Sequence, residues 1–311
     1  MIDQIDRAIL QLLRNDPQTS NRSIAQALAV SETTIGVRLE RLSSTNVARV
    51  IGQRSVRALG WTMSALLDVY LAAGDAEEVI SRIHDLENVV TVYQVAGTPE
   101  LLVKIGGSDI AELTRIAIER IGRDRGVRRV DTYVCLGHGH VRSGFGNLES
   151  PRVADPLSGD TLEERITRIL ARDGRISNRE VARAVGVAEA TVRARIRNLQ
   201  QRGHLNYILI CNPERVGYTS LAFIRMRVPP REITRHFERL AESPNVFGVT
   251  VVTGTHNLLI SVYAANWDEL WELCTQLSHA SADIEDPVIR PVLRFARHRY
   301  DMAFTPDPNS I

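Results

Sequence analysis

Two helices predicted from their apolar spacing, at 31–44 and 188–201, carry arginine, threonine and asparagine side chains on the face turned away from the core. Arginine can bond bidentately to guanine, asparagine to adenine, and a threonine methyl can contact thymine, while hydroxyls and backbone amides hold phosphates. The candidate DNA-binding residues are Ser31, Thr33, Thr34, Arg38 and Arg41 in the first helix and Thr191, Arg193, Arg195, Arg197 and Asn198 in the second. These side chains suit the major groove of double-stranded DNA, although an exposed arginine face is more often simply solvated.

Positive charge is concentrated around these helices, although the chain as a whole is almost neutral. The 38 basic and 37 acidic residues of this 311-residue chain give a net charge of +1. Residues 3–60 hold eight arginines against five acidic residues, and residues 160–217 hold eleven against seven, so the remainder is net negative. A local excess of arginine favours a polyanionic partner. Glu32 and Glu40 balance the two arginines of the first helix, whereas the second holds three arginines and one glutamate, so we expect the second to hold phosphate more strongly.

The two helices occupy equivalent places because the sequence is repeated, with its halves related by a shift of 157 residues. The run Ser20-Asn21-Arg22 aligns with Ser177-Asn178-Arg179, and Gly97-Thr98 aligns with Gly254-Thr255. Each copy opens with an amphipathic helix, followed by a short helix that begins at an N-cap serine and by the longer helix described above. A short helix, a tight turn and a longer helix predict a helix-turn-helix in each copy.

The rest of each copy predicts the order β-α-β-β-α-β. In the first copy, strand-like runs at 64–71, 89–95, 101–105 and 127–136 alternate with two helices that have buried apolar stripes. The second copy repeats this order, and Cys274 stands where the first copy has the core residue Ala117, so we interpret it as packing. The predicted fold class is α+β: two copies of a winged helix-turn-helix, each followed by a ferredoxin-like domain.

This arrangement resembles the leucine-responsive regulator/asparagine-synthase regulator (Lrp/AsnC) family of prokaryotic transcription factors. The opening run Ile2-Asp3-Gln4-Ile5-Asp6-Arg7-Ala8-Ile9-Leu10 is similar to the start of that family, and Leu59-Gly60 and Val216-Gly217 resemble its hinge into the effector (RAM) domain. The resemblance covers nearly the whole chain. It implies a sequence-specific DNA-binding transcriptional regulator, not an enzyme, whose two copies form an intrachain pseudo-dimer.

The resemblance also implies the division of the chain and its partners. Family members bind small effectors, often amino acids, and associate further through their effector domains, so we expect double-stranded DNA, a small-molecule effector and further copies of this chain as partners. The predicted parts are a helix-turn-helix domain at 1–60, an effector and assembly domain at 61–142, a linker at 143–159, a second helix-turn-helix domain at 160–217, a second effector and assembly domain at 218–303, and a tail at 304–311.

The effector loop of the family has a glycine, an aromatic residue and an aspartate before an apolar strand, and this chain departs from that pattern in both copies. The residues that the resemblance implies as effector-binding are Gly97, Thr98 and Glu100 in the first copy and Gly254, Thr255 and Asn257 in the second. Glu100 can bond an ammonium group, whereas Asn257 cannot pair with a charge, so we expect the copies to differ. A loop turn without a ligand is an equal alternative.

Composition and motifs exclude several other classes. A content of 44% hydrophobic and 24% charged residues, without a secretory signal or a run of about 20 apolar residues, predicts a cytoplasmic protein with no membrane partner. Three scattered cysteines predict no disulfide framework. His138, His140 and Cys135 offer too few ligands, at no established spacing, for a metal site. Nucleotide and nucleophile motifs are missing, so no cofactor is predicted.

The main alternative is an enzyme of the same architecture. Sirohaem decarboxylases resemble fused or paired regulators of this family, with basic catalytic residues that line a tetrapyrrole pocket. The stretches of this chain at 57–63 and 215–220 do not match the Arg/His-rich and Asn-x-Met segments of those enzymes. A third interpretation, an assembly module without ligand or target, predicts no sequence preference on any DNA.

Overall fold

The computed structural model describes residues 2–56, 60–74, 76–138, 144–145, 161–243, 245–298 and 302–303. They fall into two compact units, and each unit draws on both copies of the repeat. Unit 1 comprises 1–59, 142–216 and 299–303 and contains both helix-turn-helix regions, whereas unit 2 comprises 60–141, 217–298 and 304–311. The predicted tail and most of the predicted linker lie outside the described residues.

The main helices and strands follow each other in the same order in the two copies, and the second copy has in addition the short helix Pro213–Val216 between its first two long strands. The helices are α1 (Gln4–Asn15), α2 (Asn21–Leu28), α3 (Glu32–Ser44), α4 (Ala76–His84), α5 (Ile110–Thr114), α6 (Leu162–Arg172), α7 (Asn178–Val185), α8 (Glu189–Gln201), α9 (Pro213–Val216), α10 (Ile233–Glu242) and α11 (Trp267–Ser278). A π-helical segment, Arg115–Ile121, continues α5, and a 3₁₀ turn, Pro230–Glu232, precedes α10. The strands are β1 (Ala48–Ser55), β2 (Met63–Leu71), β3 (Val89–Val95), β4 (Leu101–Gly107), β5 (Val127–His138), β6 (Gly144–Phe145), β7 (Leu205–Cys211), β8 (Ser220–Arg227), β9 (Val246–Val252), β10 (Leu258–Ala264), β11 (Glu285–His298) and β12 (Met302–Ala303).

Capping side chains mark where several helices of unit 1 begin, although α8 begins after Ala188, which has no capping side chain. Ser177, an N-cap serine as the sequence predicts, forms a capping box with Glu180 at the start of α7, and Asp3 forms one with Asp6 at the start of α1. Each box satisfies backbone N–H groups that have no partner within the helix. The turn after α3 contains Asn46 at a φ of 54°, where the second copy has Gly203 at 67°. Asparagine adopts this left-handed conformation more readily than most residues other than glycine.

A strand follows each helix-turn-helix, and these two strands pair with each other. β1 runs antiparallel to β7, with Ile51 opposite Ile208 and Val50 opposite Leu209. Ile51 and Ile208 are equivalent positions of the repeat, so the two strands pair symmetrically about them. Neither strand was predicted. The wing expected within each copy is instead the centre of a four-stranded sheet that both copies share, in the order β12-β1-β7-β6. No local pattern reveals this pairing, because the paired strands lie far apart in the sequence.

Two glycines allow α6 of the second copy to pack closely on β1 of the first. A Cβ on Gly174 would lie 2.8 Å from the backbone carbon of Ile51, and a Cβ on Gly52 would lie 2.8 Å from the Cβ of Leu170. The Gly174 N–H also donates a 2.8 Å hydrogen bond to the Val50 carbonyl. Any side chain at either glycine would force these elements apart.

Unit 2 is built on a closed eight-stranded barrel with four strands from each copy. The order around the barrel is β10-β8-β11-β3-β4-β2-β5-β9. The copies join where β5 pairs with β9 and where β11 pairs with β3. The two junctions have the same register, since Cys135 faces Val252 in one and the equivalent Val292 faces Val95 in the other. Closure leaves no unpaired strand edge among these eight strands.

Each half of the barrel packs its outer face against its own helices. Alternate residues of β2 and β4, such as Leu67 and Val103, form an apolar core with α4 and with α5 and its π-helical continuation. The second copy forms the matching core with α10 and α11, and there Cys274 is buried as predicted. None of the described helices is both long and apolar enough to cross a bilayer.

Candidate nucleic-acid interface and effector loops

The first recognition helix, α3, uses part of its predicted binding face for internal contacts. Ser31 is its N-cap and accepts a hydrogen bond from the Thr34 N–H, whereas Thr33 is exposed. Arg38 donates to Oδ2 of Asp3 at 2.7 Å and to Oδ1 of Asp6 at 2.8 Å, and Arg41 donates to Oδ2 of Asp6. Both guanidinium groups are therefore drawn towards the start of α1.

Asp6 is the anchor of this cluster. Its side chain is fully buried. Burial raises the pKa of Asp6, but hydrogen bonds from the Asp3 backbone N–H and from the Arg41 and Arg38 guanidinium groups outweigh it, so the pKa lies below its ordinary value. A buried carboxylate needs such partners to remain ionised. This role of Asp6 was not predicted from the sequence, although the spacing of Asp3 and Asp6 at the start of the helix indicates a capping pair.

The second recognition helix, α8, leaves all five of its predicted binding residues exposed: Thr191, Arg193, Arg195, Arg197 and Asn198. Arg193 pairs with Glu189 one turn earlier at 2.7 Å, and Arg195 pairs with Glu163 of α6 at 2.7 Å. These are surface ion pairs, which are weak and exchange readily with other partners.

Equivalent arginines of the two recognition helices therefore differ in how exposed they are and in how buried their carboxylate partners are. Arg38 and Arg195 correspond across the repeat, but the Arg38 side chain is 21% exposed beside a buried carboxylate, whereas Arg195 is 53% exposed beside a half-exposed one. Position 41 is arginine in the first copy and Asn198 in the second, and Glu40 corresponds to Arg197. The exposed face of α8 therefore offers more positive charge than that of α3.

A bridge between the two copies supports α2 of the first helix-turn-helix. Arg175, in the turn between α6 and α7, donates to the Pro17 carbonyl at 3.0 Å and to Oδ1 of Asn21 at 2.8 Å. Gln200 on α8 donates to Gln18 at 3.1 Å. These contacts were not predicted, because they join residues more than 150 positions apart.

The two predicted effector loops have similar backbones, but their polar residues also close strand ends. Gly97 and Gly254 both have positive φ, 85° and 104°. Glu100 accepts a 3.0 Å hydrogen bond from the Leu71 N–H at the end of β2. Its counterpart Asn257 bonds both backbone groups of Val228, accepting at 3.0 Å and donating at 2.8 Å. Each of these two residues therefore has a structural contact within its own copy.

Thr98 and Thr255 lie at the exposed tips of these loops. Thr253, just before Gly254, accepts a 2.9 Å hydrogen bond from the Val134 N–H of the first copy. A hydrogen bond therefore joins the second loop to β5 of the first copy. Of the residues considered for a metal, His140 lies outside the described part of the chain, and within that part no group of three potential ligands comes together.

Comparison with known proteins identifies the domains. The model of the AsnC-type helix-turn-helix domain matches residues 2–43 and 160–200, and the model of the Lrp/AsnC ligand binding domain matches residues 64–138. An uncharacterised HTH-type transcriptional regulator of Pyrococcus horikoshii is 35% identical over 112 residues, which are 36% of this chain and 71% of the relative. The HTH-type transcriptional regulator FL11 of Pyrococcus furiosus is 30% identical over 112 residues, 36% of this chain and 74% of that protein.

A solved structure shares the fold over almost the full length. The siroheme decarboxylase NirDL covers 95% of this chain and 93% of its own, with a TM-score of 0.63 and 18% sequence identity. At this identity the likeness concerns the fold alone. The domain models and the regulators named above decide the family: the chain belongs to the Lrp/AsnC family of helix-turn-helix transcriptional regulators.

Proposed function

We propose that this chain acts as an intrachain pseudo-dimer whose two unlike recognition helices contact the two halves of an asymmetric operator. In this proposal α3 and α8 enter successive major grooves, with half-sites separated by about 34–36 Å, one helical turn, or a multiple of it. The predicted residues of both helices provide base and phosphate contacts. An ordinary homodimer presents two identical helices, whereas a duplicated chain can present two different ones.

The observation that supports this proposal most directly is that Arg38 is bound to a buried carboxylate, whereas Arg195 has only a surface partner. Asp3 and Asp6 neutralise much of the charge of α3, while the arginines of α8 have only surface partners in the pairs described above. We infer that α8 supplies most of the phosphate affinity and the guanine contacts. In this proposal α3 contacts its half-site mainly through Thr33 and Thr34. Arg38 or Arg41 contributes only when it leaves its aspartate partner and binds DNA instead.

The barrel of unit 2 supports the pseudo-dimer and the role of an effector. Its halves have the ferredoxin-like order, and equivalent strands join them with equivalent register. We infer that a small molecule, for example an amino acid, binds near the loops at Gly97 and Gly254. Because Glu100 and Asn257 hold strand ends, the loop N–H groups and the hydroxyls of Thr98 and Thr255 are the donors expected to face it.

A DNA-binding experiment tests the proposal. Fragments upstream of the gene for this chain and of its neighbours are mixed with purified protein at low ionic strength and separated on a native gel. We expect retardation, followed by a footprint with two unequal halves. A symmetric footprint would remove the asymmetric operator, and an absence of retardation with genomic fragments selected without bias would remove the regulator role of these helices.

The second candidate is a sirohaem decarboxylase, which the fold likeness to NirDL over 95% of the chain favours. Its test is optical: sirohaem is added to the protein and the absorption spectrum is recorded. A regulator should produce no haem-like bound spectrum and no tetrapyrrole turnover. A shifted band together with decarboxylated product would favour the enzyme.

A further inference from the structure

A buried ion pair joins the two copies at equivalent positions of the repeat. Asp68 lies on β2 and Arg225 on β8, and the shift of 157 residues carries one onto the other. Nη1 of Arg225 lies 2.6 Å from Oδ2 of Asp68, and Nη2 donates to Oδ1. The Arg225 and Asp68 side chains are 11% and 4% exposed. Equivalent residues that touch must lie beside the axis that relates the two copies.

We propose that this ion pair restricts barrel formation to one first copy and one second copy. The proposal rests on the intrachain pairing proposed above. If the first copies of two chains formed a barrel, Asp68 would face a second Asp68. If two second copies did so, Arg225 would face a second Arg225. Either barrel would bury two like charges beside each other in place of a matched pair, which is strongly unfavourable. A first copy therefore accepts a second copy only, and every barrel contains one of each.

This restriction also determines which recognition helices occur together. A barrel with one first copy and one second copy always brings one α3 and one α8 to the same assembly, so the two unlike helices are never sorted into symmetric pairs. Association between chains must then use surfaces other than the barrel seams.

The surroundings of the pair predict which charge reversal is worse. Asp131 lies opposite Asp68 on the neighbouring strand β5 and is bonded by Arg129. The Arg225 guanidinium also lies 4.6 Å from the centre of the Tyr133 ring. R225D would put a carboxylate in place of the guanidinium partner of Asp68, beside Asp131, which already has Arg129 as its partner, and would remove the contact with Tyr133. D68R would place a new arginine where Asp131 can partly compensate it, so its effect should be smaller.

The first experiment measures thermal unfolding of the full chain with each reversal and with both. We expect R225D to lower the melting temperature by roughly 10 °C, D68R by less, and D68R/R225D to recover at least half of the R225D loss. The matched control is E77R: Glu77 and Arg294 also pair across the copies, at 2.5 Å, but at exposed, non-equivalent positions. Its effect should be small. Single reversals as stable as the starting chain, or a double variant without recovery, would overturn the proposal.

The second experiment tests partner choice. D68R chains carry arginine at both positions and R225D chains carry aspartate at both, so each variant alone has only like charges to pair. When the two are unfolded and refolded together, barrels between chains can match opposite charges. We expect the mixture to melt higher than either variant refolded alone. If the double reversal restores stability but the mixture does not, the pair stabilises the barrel without selecting partners, and the proposal is wrong. Because neither readout involves DNA, a failure here is distinguishable from failure of the proposed operator binding.

Discussion

Alanine replacement of Arg195 and of Arg38 should separate DNA binding from stability, because these equivalent residues have different partners. In the free protein Arg195 pairs with Glu163 on the surface, and such a pair contributes at most about 1 kcal/mol to folding. A bidentate contact of Arg195 with guanine is worth about 1–3 kcal/mol. R195A is therefore expected to weaken binding to the operator by roughly 5- to 150-fold, with little change in the free energy of unfolding.

R38A should show the opposite balance. Without Arg38, the buried carboxylate of Asp6 loses the hydrogen bond that Nη1 donates at 2.8 Å and keeps only Arg41 and the backbone. A hydrogen bond to a charged group contributes about 1.5–3 kcal/mol. The free energy of unfolding should therefore fall by about that amount, while DNA affinity, measured where the variant is fully folded, falls less than for R195A.

The assay combines fluorescence anisotropy on a labelled operator, at one fixed salt concentration, with chemical denaturation of both variants. Salt must be fixed because phosphate contacts make affinity strongly dependent on it. Equal losses of affinity for the two variants would refute the inequality of the helices. An unchanged affinity and base preference for R195A would remove Arg195 from the interface.

Three further predictions concern the scaffold. G174A should lower the free energy of unfolding by about 1–3 kcal/mol, because the new methyl would lie 2.8 Å from the backbone of Ile51; urea denaturation measures this, and an unchanged midpoint would contradict the packing. N257A should destabilise unit 2 by about 1–3 kcal/mol, since it leaves both backbone groups of Val228 without that partner; a loss of ligand response at unchanged stability would instead indicate a binding role. The pKa of Asp6 is lower in the folded protein than the unfolded value of about 3.9, so its stabilising contribution is complete above that value and is lost as pH falls through the folded pKa. Chemical denaturation at a series of acidic pH values should therefore show that the free energy of unfolding falls less steeply with pH in D6N than in the starting chain. Identical pH dependences would contradict this role of Asp6.

The sequence by itself determined the repeat, the family and most of the local elements, although not β1 and β7. Apolar periodicity predicts α3 and α8, and the strand at 89–95 is observed with those bounds. The N-cap serine predicted at the start of the short helix is confirmed as Ser20 in the first copy and Ser177 in the second. These features depend on interactions within a few residues along the chain, so a pattern in a short window is sufficient to predict them.

Only the tertiary structure decided which charges are available and how the copies join. Nothing local to Arg38 shows that Asp6, 32 residues earlier, holds it, and nothing local to β1 shows that its partner is β7. Asp68 and Arg225 look like unrelated charges on separate strands until barrel closure brings equivalent positions face to face. Each of these contacts depends on burial and on pairing across 32 to 163 residues, and long-range pairing leaves no periodic trace in the sequence on either side.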